Sequence, residues 1–286
     1  MSSKPILAGI AGWPVSQSLS PALHGFWLRE HQINGFYVPL AIRREDFSDS
    51  VRGLQRSGFA GINVTIPHKE AAFAIAHTHD DASLKMQAAN LLLFDGHGAI
   101  RACNTDSAGL KASLEESLGA SALRNRKAIV AGAGGAARAT ICCLDALGLA
   151  EIFVLNRTAA RAQSLVRSLS TRVNARLSAG GFETWQAMAP SATLLVNATS
   201  TGTLGSASLP LDLNALPGDA SVCDLVYNPV ETLLLRDARR LGLRTVGGLG
   251  MLMHQAVPSF EALFGQRPQV TQSLRDVLVG QTVATA

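Results

Sequence analysis

Residues 128–139 read Ala128-Ile-Val-Ala-Gly132-Ala-Gly134-Gly135-Ala136-Ala137-Arg138-Ala. Four apolar residues run straight into the spacing G-x-G-x-x-A, and Thr140 to Leu147 then continue as a helix. Each small residue has a physical task there. Gly132 permits the tight turn out of the strand, Gly134 lets backbone approach a pyrophosphate, and Ala137 lets the helix pack close to the strand. The helix start at Gly135 and Ala136 presents free N–H groups and a positive dipole end to the phosphates. The stretch predicts a dinucleotide site at a strand-to-helix turn.

Working outward, the same alternation repeats on both sides. Short apolar strands are predicted at Ala128–Ala131, Ile152–Leu155, Ala175–Leu177, Leu194–Asn197, Val222–Val226 and Arg244–Val246, with helical stretches between them. Six such strands make a doubly wound, Rossmann-type sheet. Upstream, strands at Ile6–Ile10, Phe36–Leu40 and Gly61–Ile66 alternate with helices at Pro21–His31 and Glu45–Arg56, and another helix is expected to begin near Pro67. Ser20 reads as an N-cap followed by proline at the first helical position. A helix over Ala108–Leu118 carries the chain across, and beyond Val246 a Gly-rich turn leads into a returning helix, Leu252–Phe264. The fold class is α/β with mainly parallel sheets. Residues 1–106 and 248–286 are expected to form a substrate-binding catalytic domain around a 107–247 dinucleotide domain, with the active site in the cleft between them.

The end of the second Rossmann strand selects the nucleotide. Enzymes using NAD place Asp or Glu there to bond the ribose 2′-hydroxyl, whereas this strand ends in Asn156-Arg157-Thr158, with Arg161 one turn on. No carboxylate repels a phosphate. Arg157 offers a planar, permanent charge to stack on adenine and bond a 2′-phosphate, with Thr158 and Arg161 as further donors, so NADP is the expected cofactor.

Composition excludes several classes. With 286 residues, 47% hydrophobic and 16% charged, the chain has material for about two cores and is no disordered tail. No apolar run approaches the roughly 20 residues of a membrane helix, and no basic-then-apolar leader opens the chain, so a cytoplasmic protein without a membrane partner is expected. The net charge of +4 comes from 25 basic and 21 acidic residues scattered without a block. That pattern suits an anionic small molecule better than a nucleic acid. The four cysteines lack CxxC spacing and read as buried thiols, and His77, His79, Asp80 and Asp81 read as the solvated end of an apolar helix, so no metal is expected.

Chemistry must come from polar residues stranded among apolar ones. The segment Gly61-Ile-Asn63-Val-Thr65-Ile-Pro67-His68-Lys69 delivers Asn63, Thr65 and Lys69 near the C-terminal edge of a strand, where α/β sites lie. Asp106, in Asn104-Thr105-Asp106, stands at another strand-to-helix junction. A lysine and aspartate so placed can exchange a proton with an alcohol or ketone undergoing hydride transfer.

The chain resembles the shikimate dehydrogenase family over nearly its whole length. The blocks that carry the resemblance are Ser18-Leu-Ser20-Pro21-Ala-Leu-His24, Asn63-Val-Thr65-Ile-Pro67-His-Lys69, Asn104-Thr105-Asp106, Gly132-Ala-Gly134-Gly135-Ala-Ala137-Arg138, Asn156-Arg157-Thr158, Asn197-Ala-Thr199-Ser200-Thr-Gly202, Asp224-Leu-Val226-Tyr227-Asn-Pro229 and Gly248-Leu-Gly250-Met251-Leu-Met-His-Gln255-Ala256. The resemblance implies an NADP-dependent oxidoreductase interconverting shikimate and 3-dehydroshikimate. It gives Ser18 and Ser20, with Tyr227 nearby, to the substrate carboxylate, and Thr65, Asn90, Asp106 and Gln255 to the ring hydroxyls. Lys69 becomes the acid/base, while Thr199, Ser200, Val226, Gly248 and Met251 lie along the cofactor. A monomer or homodimer acting on a ring carboxylic acid is expected.

Three departures flank the substrate side. The usual Gly-Ala-Val-Asn-Thr block reads Gln87-Ala-Ala-Asn90-Leu91, Asp106 is followed by Ser107 where glycine is usual, and His24 by Gly25 where asparagine is usual. They set quinate or aminoshikimate as the alternative substrates, and a catalytically weak NADP-binding paralogue as the alternative role. Ser20 favours shikimate, because quinate-preferring relatives often carry threonine there.

Overall fold

In the computed structural model, residues 4–203 and 209–283 are described. The outermost residues of the expected first domain, at 1–3 and 284–286, lie outside them. The chain forms two compact units. One runs up to Thr105 and resumes at Gln255, and the other is Asp106–His254.

The first unit contains β1 (Ile6–Gly12), α1 (Ser20–Glu30), β2 (Gly35–Ala41), α2 (Phe47–Arg56), β3 (Gly61–Val64), α3 (Lys69–Ile75), β4 (Thr78–His79), α4 (Asp81–Met86), β5 (Leu91–Phe94) and β6 (Ile100–Cys103). The strands form one sheet in the order β2-β1-β3-β5-β6-β4. β1 runs parallel to β2 and β3, whereas β5 is antiparallel to both β3 and β6. The sheet is therefore mixed, with parallel pairs in the majority as expected: β1–β2, β1–β3 and β4–β6 are parallel. The β5–β6 hairpin was not expected from the sequence: β6 (Ile-Arg-Ala-Cys) has no continuous apolar run to mark it as a buried strand.

Two further local expectations change. Ser20 is the first residue of α1 and Leu19 occupies the cap position without a side-chain bond, while Ser18 Oγ accepts the Ser20 N–H at 3.3 Å. Nor do His77 to Asp81 form a solvated helix end. His77 Nδ1 accepts the Ile100 N–H at 3.0 Å, and Asp80 caps α4 by accepting the Ser83 N–H at 2.7 Å while also taking the Asn104 N–H at 3.2 Å. His77, His79 and Asp80 thus tie neighbouring elements together, while His77 and Asp81 remain exposed. Among the described residues, no three His, Cys, Asp or Glu side chains gather as a metal site.

The second unit contains α5 (Asp106–Leu118), β7 (Lys127–Ala131), α6 (Gly135–Ala146), β8 (Glu151–Leu155), α7 (Ala159–Leu169), β9 (Arg176–Gly180), α8 (Trp185–Met188), β10 (Leu194–Asn197), β11 (Ser221–Asp224), α9 (Leu233–Arg240) and β12 (Arg244–Gly247). Its sheet is wholly parallel in the order β12-β11-β10-β7-β8-β9. This is the doubly wound order, with the topological switch between β7 and β10. Alternate residues feed two cores: Ala128 and Val130 face one, Ile129 and Ala131 the other. Burial on both faces is why these strands read as unbroken apolar runs.

α10 (Gly248–Phe264) passes from the second unit into the first, and α11 (Gln272–Val283) packs on α1. The Gly-rich segment expected as a turn is the first turn of α10. A Cβ on Gly248 would stand 2.4 Å from Leu225 O, and one on Gly250 2.5 Å from Ser113 Oγ. Those glycines serve close packing within the second unit, which explains why residues 248–254 belong there and not with the first. Among the described residues no helix is long and apolar enough to cross a membrane, and all four cysteines are buried free thiols.

Candidate active site

In the first unit, site residues gather at the C-terminal ends of β1 and β3. Half-buried Ser18 and buried Ser20 sit where β1 passes into α1. Gly12 and Thr65 touch, since a Cβ on Gly12 would meet Thr65 Cγ2 at 2.5 Å. Lys69 is the first residue of α3 and is half-buried, and its carbonyl accepts the Ala89 N–H at 2.8 Å. That bond ties α3 to the segment carrying Asn90.

Asn90 is held by a buried polar network. Its Oδ1 accepts the Thr105 N–H at 2.9 Å, and its Nδ2 donates to Thr105 Oγ1 at 2.9 Å and to Gln255 Oε1 at 3.2 Å. Thr105 Oγ1 donates to the same Gln255 oxygen at 3.3 Å. Gln255 therefore presents its oxygen inward, and both amides have a fixed orientation. Behind them, Asn63 Nδ2 donates to Asn90 O at 3.1 Å and Ser259 Oγ at 3.0 Å, while Asn63 Oδ1 accepts the Tyr37 hydroxyl at 2.9 Å. Asn63, expected at the strand edge, is buried and serves as a brace. Tyr37 in turn stacks on His24 at 3.9 Å with an interplanar angle of 1°. Complete burial pushes the His24 imidazole down to about 3, so it stays neutral.

The departures acquire physical content here. Leu91 is buried in β5, where an apolar side chain suits the core. Gln87 ends α4 with φ 50° and ψ 39°, a left-handed conformation in which glycine avoids the Cβ clash. Gln87→Gly should raise unfolding free energy by up to about 1 kcal/mol, read by urea denaturation. Equal or lower stability would show that the Gln87 side chain compensates its own strain.

In the second unit, the predicted glycines take up their tasks. Gly132 has φ +122°, and a Cβ there would lie 2.9 Å from Ala198 O. Gly134 stands at the N-cap of α6 and meets nothing within 4 Å of its ideal Cβ position, so packing inside the protein does not demand glycine there. Open space in front of the α6 N–H groups fits a pyrophosphate. Buried Ala137 packs in the core as expected. At the end of β8, Asn156 Nδ2 donates to Thr158 O at 2.9 Å, and Arg157, Thr158 and Arg161 are exposed. The donor set of this loop suits a 2′-phosphate.

Thr199 and Ser200 follow β10, and Val226 and Tyr227 follow β11, and one buried carboxylate organises both loops. Asp224 Oδ1 accepts Asn197 Nδ2 at 2.8 Å and the Val226 N–H at 3.0 Å, and Oδ2 accepts the Thr232 hydroxyl at 2.7 Å. Thr199 donates to Asn197 Oδ1 at 2.7 Å and accepts the Thr201 N–H at 3.0 Å. Burial raises the Asp224 pKa, with the three hydrogen bonds opposing it. Gly248 and Met251 lie in the buried first turn of α10. Asp106 heads α5 and is buried, directly after the network residue Thr105.

Sequence reading missed the supporting roles of Tyr37, Thr105, Ser259, Asn197 and Asp224. A signal existed for Asn197, the polar residue that closes the otherwise apolar strand Leu194–Asn197, and for Asp224, a carboxylate inside an apolar stretch.

Residues 10–92 match the family described as "Shikimate dehydrogenase substrate binding domain", and residues 114–204 match "Shikimate / quinate 5-dehydrogenase". The shikimate dehydrogenase (NADP(+)) of Methylobacterium radiotolerans is 50% identical over 274 residues, covering 95% of this chain and 96% of that protein. Shikimate 5-dehydrogenase from Thermus thermophilus, solved with NADP(H) and shikimate, has a TM-score of 0.83 at 32% identity, covering 97% of this chain and 99% of its own. Quinate dehydrogenase from Corynebacterium glutamicum, solved with NAD, has a TM-score of 0.85 at 26% identity, covering 99% of each chain. One fold thus hosts different ring acids and dinucleotides, and the choice lies in side chains. With both family descriptions matched and half of its residues shared across almost the full length of such an enzyme, this chain belongs to the shikimate dehydrogenase family.

Proposed function

We propose that this chain is an NADP-dependent oxidoreductase that interconverts shikimate and 3-dehydroshikimate. The observation that carries the substrate side is the oriented Asn90–Thr105–Gln255 cluster, a dense set of amides and hydroxyls suited to a polyhydroxylated ring. The mutual bonds hold these groups in place, and the lone pairs they leave on the amide and hydroxyl oxygens can accept hydrogen bonds from ring hydroxyls. Ser18, Ser20 and Tyr227 hold the carboxylate, and Thr65, Asn90, Asp106 and Gln255 hold the ring hydroxyls.

NADP, when bound, supplies the nicotinamide that accepts or returns the hydride. Gly132 to Ala137 cradle its pyrophosphate, Asn156, Arg157, Thr158 and Arg161 its adenosine end, and Thr199, Ser200, Val226, Gly248 and Met251 flank the rest. In the oxidation direction the substrate's C–OH loses hydride from carbon and a proton from oxygen. Lys69 takes that proton, and Asp106 orients both the lysine and a neighbouring hydroxyl. The protein works in the cytoplasm as a monomer or homodimer. Parallel initial rates of NADP reduction with shikimate, quinate and aminoshikimate test the assignment. Shikimate should give the highest kcat/KM, and a higher value for quinate would transfer the function to the alternative.

Cofactor choice has its own test. Arg157→Ala removes a charge-assisted contact worth roughly 1.5–3 kcal/mol, so the preference for NADP over NAD should narrow on the order of tenfold or more. Equal affinities for NADP and NAD in the parent protein would remove the basis for this role of Arg157.

A further inference from the structure

Three chain segments converge beside Thr65 in the first unit. The Ile42 N–H donates to Gly12 O at 3.2 Å and the Trp13 N–H to Ile66 O at 3.0 Å, so the exits of β1, β2 and β3 are stitched together. His68 Nε2 lies 2.8 Å from Ile42 O and fixes the residue before Lys69 to the same junction. Onto this junction the sequence places a large aromatic ring and a permanent cation. Trp13 is 45% exposed, and the Arg43 guanidinium carbon stands 5.2 Å from the centre of its ring. Among the described residues Arg43 makes no ion pair. Trp13 also opens the loop that carries Ser18, the residue proposed above for the substrate carboxylate.

An exposed arginine normally samples many rotamers, which smears its charge over solvent. Stacking on an aromatic face holds the guanidinium in one place without neutralising it. An exposed, half-uncovered tryptophan has no core to serve, so its use here is as the platform for that charge. Glu45 and Asp46 follow two and three residues on and are exposed, Asp46 at the N-cap position of α2, and they set an opposing field that the fixed Arg43 must overcome locally. The Arg44 charge is felt at the His68 imidazole, which burial, the main cause, holds below its ordinary value against the raising effect of the Ile42 carbonyl.

We infer that Arg43, held on Trp13, is a specificity residue that attracts the carboxylate of the incoming ring acid and hands it to the Ser18 loop. The inference rests on the proposed function and adds a residue that recognises the charge of the substrate rather than its hydroxyls. An exposed charge acts over roughly the Debye length of about 10 Å at 0.1 M salt, so this attraction fades as salt rises. It acts equally on bound substrate and transition state, so it lowers KM and leaves kcat alone.

The test compares parent, Arg43→Gln, Arg43→Lys and Trp13→Leu with shikimate and with its neutral methyl ester, at low and high ionic strength. Arg43→Gln should lower kcat/KM for shikimate about 3-fold to 10-fold at low salt, with kcat kept, and the gap should close at high salt. The ester should show no such loss, Arg43→Lys should retain most of the parent value, and Trp13→Leu should fall between. An unchanged kcat/KM in Arg43→Gln, or an equal loss with the ester, overturns the inference while leaving the functional assignment intact. A parent protein inactive on shikimate removes the assignment and this inference together.

Discussion

Replacing Lys69 by alanine should lower kcat by roughly 100-fold to 10,000-fold, the usual size of an acid/base contribution, and leave NADP affinity close to the parent value. The loss corresponds to about 3–5 kcal/mol of barrier. Hydride cannot leave the alcohol carbon unless the hydroxyl proton leaves as well, and Lys69 is the residue assigned to receive it. The variant should fold normally, because the tie between Lys69 O and the Ala89 N–H is made by the backbone and survives truncation. Alanine is also the better helix former at the start of α3. A kcat close to the parent's, with only the substrate KM raised, would make Lys69 a binding residue and leave the proton acceptor elsewhere. Asp106→Ala should differ in kind, hurting kcat and substrate KM together through the lost hydroxyl contact.

Asp224→Ala should be the most damaging change on the cofactor side. Removing this carboxylate leaves the Asn197 amide, the Val226 N–H and the Thr232 hydroxyl facing a dry gap. Each unsatisfied buried group costs about 1–3 kcal/mol, offset in part by relief of a desolvated acid, for a net loss of roughly 3 kcal/mol. Loosening the loops after β10 and β11 should raise the KM for NADP on the order of tenfold while shikimate KM holds. Asp224→Asn keeps an acceptor for two of the three donors and should cost much less. It should also flatten a pH dependence. The Asp224 pKa is raised in the folded protein, so its favourable contribution is complete below the unfolded value of 3.8 and is lost as pH rises through the raised value. Parent and Asp224→Asn unfolding curves, taken by urea across that window, should therefore diverge with rising pH. Curves that stay parallel would mean that Asp224 is not desolvated.

Much of the cofactor site was legible because its chemistry is local. The turn after β7 needs Gly132 at φ +122° and a short side chain at Ala137 within six residues, and the exposed Asn156 to Arg161 loop declares its charge directly. Thr65 and Lys69 were legible as polar groups at a strand exit, whereas Ser18 was named only through the family resemblance. The braces behind them were hidden because they are long-range: Asn63 meets Ser259 across 196 positions, and Asn90 meets Gln255 across 165. Gly248 misled for a different reason. Glycine before a helix reads as a turn, yet here it is small only because Leu225 O occupies the space a side chain would need.

The most direct test of the whole account runs the reaction toward the alcohol. NADPH and 3-dehydroshikimate are mixed with the protein, nicotinamide oxidation is followed by absorbance, and the product is identified by NMR. The account predicts stoichiometric formation of shikimate, with kcat/KM for NADPH at least about tenfold above that for NADH, a gap of some 1.4 kcal/mol. No NADPH consumption, a product other than shikimate, or equal rates with NADH would contradict it.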